Sequence, residues 1–184
     1  MIEEDKVVRE SLRSSFEARL DGIVSRHLAV SPHALIPNHH FARASDECIE
    51  SFEVGHFIAC ITLVQAVAEG IARFVCMRTA TKSAKDQFTR VRRLLSAKLI
   101  TAECAKAFHC ISDMQRDDFH HMNPTVPTDW SELEALAKEA LDHLATVEGE
   151  IFAFDFDEGK LTPKNPRYWD VRPNGTTTIY LRGR

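Results

Sequence analysis

The five cysteines, Cys48, Cys60, Cys76, Cys104 and Cys110, are odd in number and include no CxxC spacing. They read as reduced, mostly buried thiols. No basic-then-apolar leader opens the chain: "MIEEDKVVRE" is acidic and polar, so a cytoplasmic location is expected. Uninterrupted apolar runs are also missing. The most apolar stretch, Phe57 to Met77, is broken by Thr62, Gln65, Glu69 and Arg73, which marks a buried helix and argues against a membrane span. Positive charge is not in excess. A net charge of -4 and a pI near 6.1 exclude a broad cationic surface for duplex nucleic acid, while leaving room for a local basic groove. There is no internal repeat, no low-complexity segment, and no helix-turn-helix with its own basic recognition helix.

What is present is a chain of 184 residues, 44% apolar and 27% charged. That length buries a full core without staples and favours one domain with an appended element. Apolar spacing predicts five helices. The first runs from about Glu4 to His27, with Val8, Leu12, Phe16, Leu20, Ile23 and Val24 on one stripe. After the loop "VSPHALIPNHHF", a second begins near Ser45 as N-cap and continues to Arg78 as the central helix. Its Gln65, Glu69 and Arg73 lie four apart and form one polar stripe. That stripe is either solvated, with a Glu–Arg pair, or turned so that Glu69 meets Arg116. A short helix, "QFTRVRRLLSAKLI", points Phe88, Val91, Leu94 and Leu95 inward. Its surroundings, Lys82, Lys85, Arg90, Arg92, Arg93 and Lys98, are the most basic part of the chain. The fourth helix starts at the N-cap Thr101 and ends before Pro124. The fifth is capped by Thr128 or Asp129 and carries Trp130, Leu133, Leu136, Ala137, Ala140, Leu141, Leu144, Val147 and Ile151 on its inner face. Beyond it, "RYWDVR", "PNG" and "TTTIYLR" read as a β-hairpin about an Asn-Gly turn. The expected fold is therefore all-α, an up-and-down bundle of four to five helices over residues 1–154. A C-terminal extension, 155–184, carries a small β-hairpin.

The stretch "DMQRDDFHHMNP" at the end of the fourth helix concentrates chemistry. Asp113, Asp117 and His121 fall at four-residue steps, as do Arg116 and His120. A metal reading would use Asp113, Asp117 and His121 with Glu69 or His56 as further ligands. The loop histidines His33, His39 and His40 lack a metal-like spacing. A metal-free reading suits phosphodiester cleavage. Histidine moves protons at the 2′-hydroxyl or the leaving 5′-oxygen. Arginine holds the phosphate through its planar fork, and aspartate orients the imidazole. A single histidine is a thin endowment for this, and a symmetric dimer would supply a second. The plain structural reading is a charged helix end, with Arg116 and Asp117 in salt bridges and His120 and His121 suiting the helix dipole.

These residues, in this context, resemble the HEPN superfamily of helical bundles found in prokaryotic RNase toxins and related proteins. The family signature, Arg, a polar residue, a few residues, then His at the end of a long helix, matches Arg116, Asp117 and His121. "HFIACITLVQAVAEGIARFV" is similar to the family's apolar helix with an embedded glutamate. "FTRVRRLLSAKLITAECAKAF" is similar to the elements that precede the motif. The resemblance runs roughly from Glu50 to Glu150. It implies a homodimer with paired motifs at a shared cleft, metal-independent endoribonuclease chemistry or RNA binding without cleavage, no cofactor, and in some members an antitoxin partner. Arg116 would contact the scissile phosphate and His121, or His120 in its place, would act as general acid/base; Asp117 stands where many members carry Asn. More distantly the helix pattern is similar to the mannitol operon repressor family, which implies a regulatory or protein-binding module.

Overall fold

The structure, a computed structural model, describes residues 2–82, 84–114 and 116–182; the side chains of residues 2, 3, 116 and 117 lie outside the description. Among the described residues the chain forms eight α-helices and two small antiparallel strand pairs. The helices are α1 (Ile2–Glu17), α2 (Leu20–Ala29), α3 (Ala42–Glu53), α4 (Phe57–Arg78), α5 (Gln87–Ser96), α6 (Ala102–Asp113), α7 (Arg116–His121) and α8 (Trp130–Ile151). The strands are β1 (Leu35–Pro37), β2 (Phe154–Asp157), β3 (Lys160–Pro163) and β4 (Ile179–Leu181).

The helix count exceeds the four to five expected because three of the long helices are broken. The clearest break separates α3 from α4. Gly55 takes a φ of 87°, its N–H bonds the Phe52 carbonyl, and the His56 N–H bonds Ser51. That pair of bonds is a Schellman stop, which needs a residue free to enter the left-handed region. Near residue 18 the ladder tightens, with Arg19 N–H bonded to Phe16 O, and α2 starts afresh. The third break, at Met114, shapes the candidate site described below.

Helix α4 is the core helix. Phe57, Cys60, Ile61, Val64, Ala68, Ile71, Ala72 and Val75 are all buried, and α3, α5, α6, α7 and α8 pack around them. It is long and apolar enough to cross a membrane by composition, yet most of its apolar window is covered by the rest of the chain. Capping is partly as predicted. Thr101 Oγ1 accepts from Cys104 N–H, and Asp129 Oδ1 accepts from Ser131 and Glu132 N–H. Ser45 is not a cap: α3 begins at Ala42, and Ser45 lies inside it, fully buried. Three side chains expected inside are instead exposed, namely Phe88, Leu95 and Trp130. All of Val8, Leu12, Phe16, Leu20 and Val24 are exposed as well.

The predicted hairpin about Asn174-Gly175 does not form. The turn is there, with Gly175 N–H on Arg172 O and Arg172 N–H on Thr176 O. Its two arms go elsewhere. Pro166–Tyr168 winds into a 3-10 turn that delivers Tyr168 and Trp169 to the core beside Phe152. The other arm, β4, crosses the molecule to pair with β1, Ile36 opposite Tyr180. The hairpin of the C-terminal region is β2–β3. It turns at Glu158-Gly159, both at positive φ, as a tight two-residue turn between twisted strands requires.

Beneath the β1–β4 pair, Arg182 donates to both Glu148 carboxylate oxygens, at 2.8 and 2.9 Å, and also to Ser45 Oγ and His33 O. Both charged side chains are nearly sealed from water. Two of the three loop histidines, His33 and His39, are structural. His33 Nε2 contacts Phe152 O, His39 Nε2 contacts Tyr168 O, and burial lowers the pKa of both rings. The cysteines are unbonded thiols. Burial pushes Cys60 up to about 12, and Cys48 and Cys104 also rise, so these groups stay protonated and inert.

Candidate functional site

The RDDFHH motif stands on its own helix. The sequence pattern predicts one continuous helix from Thr101 to the residue before Pro124, but α6 ends at Asp113 and α7 carries the motif separately. The cause lies in α4. Gln65 is buried, and its Nε2 donates to the carbonyls of Met114 (3.0 Å) and Ile111 (3.5 Å). A side-chain amide thus takes carbonyls that the next helical turn would otherwise have used. Gln65 therefore does not belong to a solvated stripe; only the Glu69–Arg73 pair, at 2.6 Å, matches that expectation. Replacing Gln65 with leucine should cost roughly 1–3 kcal/mol, because the freed carbonyls lose their donor. Amide exchange across 111–121 should accelerate more than elsewhere; protection unchanged in that segment would show that Gln65 does not hold the break.

Helix α7 is pinned by Phe119, which is buried, and closed by Asn123, whose Nδ2 donates to Asp118 Oδ1 at 2.7 Å. Met122 enters the left-handed region at φ 50° and ends the helix before Pro124. Both His120 and His121 are exposed. The side chains of Arg116 and Asp117 lie outside the described residues, so their positions rest on the backbone of α7, where Arg116 and His120, and Asp117 and His121, are four apart. The proposed Glu69–Arg116 contact falls outside them too. Glu69 does bond Arg73 and lies 3.6 Å from Arg90.

A cavity of about 340 Å³ opens between α6, α7 and α8. Cys110, Met114, Phe119 and Leu136 line it, and the exposed Asp113 and Glu139 stand at its mouth. Spacing could not have located it, because it exists only once the break at Met114 turns α7 onto α4.

The basic cluster is thinner than the sequence suggests. Arg90 is buried, with Nη1 on Gln87 Oε1 and Nη2 on the Ala84 and Lys85 carbonyls. Arg93 donates to Lys82 O. Lys82, Lys85, Arg92 and Lys98 remain exposed. Of the C-terminal arginines, Arg167 and Arg172 are exposed, Arg182 is buried, and Arg184 lies outside the described residues.

Among the described residues no three His, Cys, Asp or Glu side chains gather to hold an ion; the set Asp113, Asp117 and His121 includes Asp117, whose side chain lies outside them. No family model matches this chain, and neither the curated proteins nor the solved structures contain a significant match to it.

Proposed function

We propose that this chain is a HEPN-like RNA-cleaving or RNA-binding protein. It works in the cytoplasm without metal or cofactor, at a composite site built from two copies of the RDDFHH motif, in a toxin–antitoxin or defence setting. The observation that carries this reading is the separation of the motif onto α7, where His120 and His121 are exposed and the neighbouring Phe119 lines a cavity. In cleavage, a histidine takes the ribose 2′-hydroxyl proton and the 2′-oxygen attacks phosphorus. The P–O5′ bond then breaks as the second copy's histidine protonates the leaving oxygen. The products are a 2′,3′-cyclic phosphate and a 5′-hydroxyl. Arg116 neutralises the charge that builds on the phosphoryl oxygens. His121 is the acid/base, with Asp117 orienting it; His120 is the substitute. The cavity suits a nucleobase, with Met114, Phe119 and Leu136 against its face.

The test is incubation of the purified protein with mixed RNA in EDTA, repeated with Arg116→Ala and His121→Ala. Each substitution should lower the rate about 10²–10³-fold. Cleavage surviving both sinks the assigned site, and a requirement for metal sinks the mechanism.

A second reading is a non-catalytic interaction or regulatory module, partnered by an antitoxin or regulatory protein. The carboxylates of Asp113 and Glu139 at the cavity mouth favour it, since they repel a phosphate backbone. Absence of cleavage by any form, together with retained binding of a protein partner, selects this reading.

A further inference from the structure

Positive charge in this acidic protein is gathered in one segment. Residues 82–98 hold six cations, Lys82, Lys85, Arg90, Arg92, Arg93 and Lys98, against the single acid Asp86, in a chain of net charge -4. Asp86 is committed as the N-cap of α5, where its carboxylate accepts from Thr89 N–H.

An aromatic ring stands among these cations. Phe88 is 57% exposed, while Val91 and Leu94 of the same helix are sealed in the core. At about 100° per residue, Phe88 and Arg92 point within about 40° of each other on the outer side of α5. The Phe88 ring also stacks on His109 of α6, with centroids 4.5 Å apart and planes inclined by 40°. His109 Nδ1 is buried and has no hydrogen-bond partner among the described residues, so packing on Phe88 helps hold that imidazole. Exposed cations flank the ring pair within one helical turn. Lys85 lies three residues before Phe88, in the segment leading into α5; Arg92 lies four after it; Lys106 lies three before His109 on α6. Apart from the capping Asp86, the one acid within a turn is Asp113, four residues past His109.

A ring between cations matches a strand of nucleic acid, in which each base offers a flat face and the backbone on either side carries negative charge. Stacking on a side chain needs a base that is out of its duplex, since paired bases cover one another's faces. The net negative charge of the chain also disfavours the broad contact that a duplex makes.

We propose that the outer side of α5 and α6 binds a single strand of nucleic acid. The Phe88–His109 pair stacks one base, and Lys85, Arg92 and Lys106 neutralise the neighbouring phosphates. This site is separate from the α7 motif, and holding a strand there requires no cleavage.

The probe is a fluorescein-labelled oligodeoxyadenylate of about twelve nucleotides, within the length that single-strand sites cover. It lacks the 2′-hydroxyl, so its anisotropy reads binding apart from any chemistry at α7. The full-length protein should bind it with log Kd rising against log salt at a slope of about 2, as three neutralised phosphates on a single strand require. Phe88→Ala should weaken binding at least about five-fold, and Phe88→Trp should not weaken it. Arg92→Ala and Lys106→Ala should each lower the salt slope by about 0.7. All three positions are exposed, so melting should stay close to that of the wild type. No binding of the probe by the wild type overturns the proposal, whether or not the protein cleaves RNA. Equal affinity for the same sequence in a duplex overturns the single-strand assignment. A slope that falls with Arg92→Ala while Phe88→Ala binds like the wild type overturns base stacking and gives the cations to an acidic protein segment instead.

Discussion

Glu148→Ala is expected to destabilise the protein by about 3–5 kcal/mol, a large share of the ~5–15 kcal/mol that holds a domain folded. Glu148 and Arg182 have side chains only 1% and 2% exposed, and Arg182 spends both terminal nitrogens on Glu148, Ser45 and His33. Removing the carboxylate strands a guanidinium in a low-dielectric interior. Arg182→Ala should cost a similar amount by stranding the carboxylate. The double variant Glu148→Leu/Arg182→Met should recover much of the loss, since a buried pair is often no better than an apolar replacement of similar volume. Urea unfolding of the wild type, Glu148→Leu, Arg182→Met and the double variant closes the cycle. Additive losses in the double variant would mean that the two charges are not coupled through this contact.

The pair also shows where the sequence was opaque. Arg182 sits in a C-terminal run with exposed arginines at 167 and 172, and nothing in its neighbours distinguishes it. Its burial follows from β4 leaving its own turn to pair with β1, about 145 residues away in sequence. Ser45 misled for a related reason. "SDE" is a good cap signal locally, but Ser45 was claimed by Glu148 and Arg182 and the helix started three residues earlier. By contrast, the inner faces of α4, α6 and α8 were legible because helical periodicity reports burial directly when a helix packs on one core. Phe108, Ile111, Leu133, Ala137, Leu144 and Ile151 are buried as predicted. Periodicity failed on α1, where the apolar stripe is real but nothing among the described residues packs on it. It also failed at Gly55 and Met114, where a left-handed glycine and a side-chain amide from another helix interrupted patterns that continue on either side. The candidate site inherits this split. The residue types and spacing of RDDFHH could be read from the sequence, whereas their separate helix, the Phe119 anchor and the cavity depend on Gln65, 46 residues upstream of Ile111.

Trp169→Ala should cost about 3–5 kcal/mol, the range for truncating a fully buried large aromatic. Trp169 is 0% exposed and meets Phe152 and Phe154 edge-on, with ring centroids 6.5 and 5.8 Å apart. It is thus the plug by which the C-terminal segment closes the end of the helical body. Its indole nitrogen finds no hydrogen-bond partner among the described residues, so its contribution is one of packing. Trp169→Phe, which keeps an aromatic ring and removes the unpaired donor, should therefore lose far less, about 1–2 kcal/mol. If both substitutions cost the same, a polar contact of the indole is being lost instead. The measurement has a built-in reporter. The second tryptophan, Trp130, is 58% exposed, so in a Trp130→Phe background the blue-shifted emission of Trp169 alone follows the core. Its red shift under urea should coincide with loss of far-ultraviolet helix signal if the segment unfolds with the bundle. A red shift that clearly precedes helix loss would mean that the C-terminal segment detaches as a separate unit, and the stability cost of Trp169→Ala would then fall well below the value expected for a core residue.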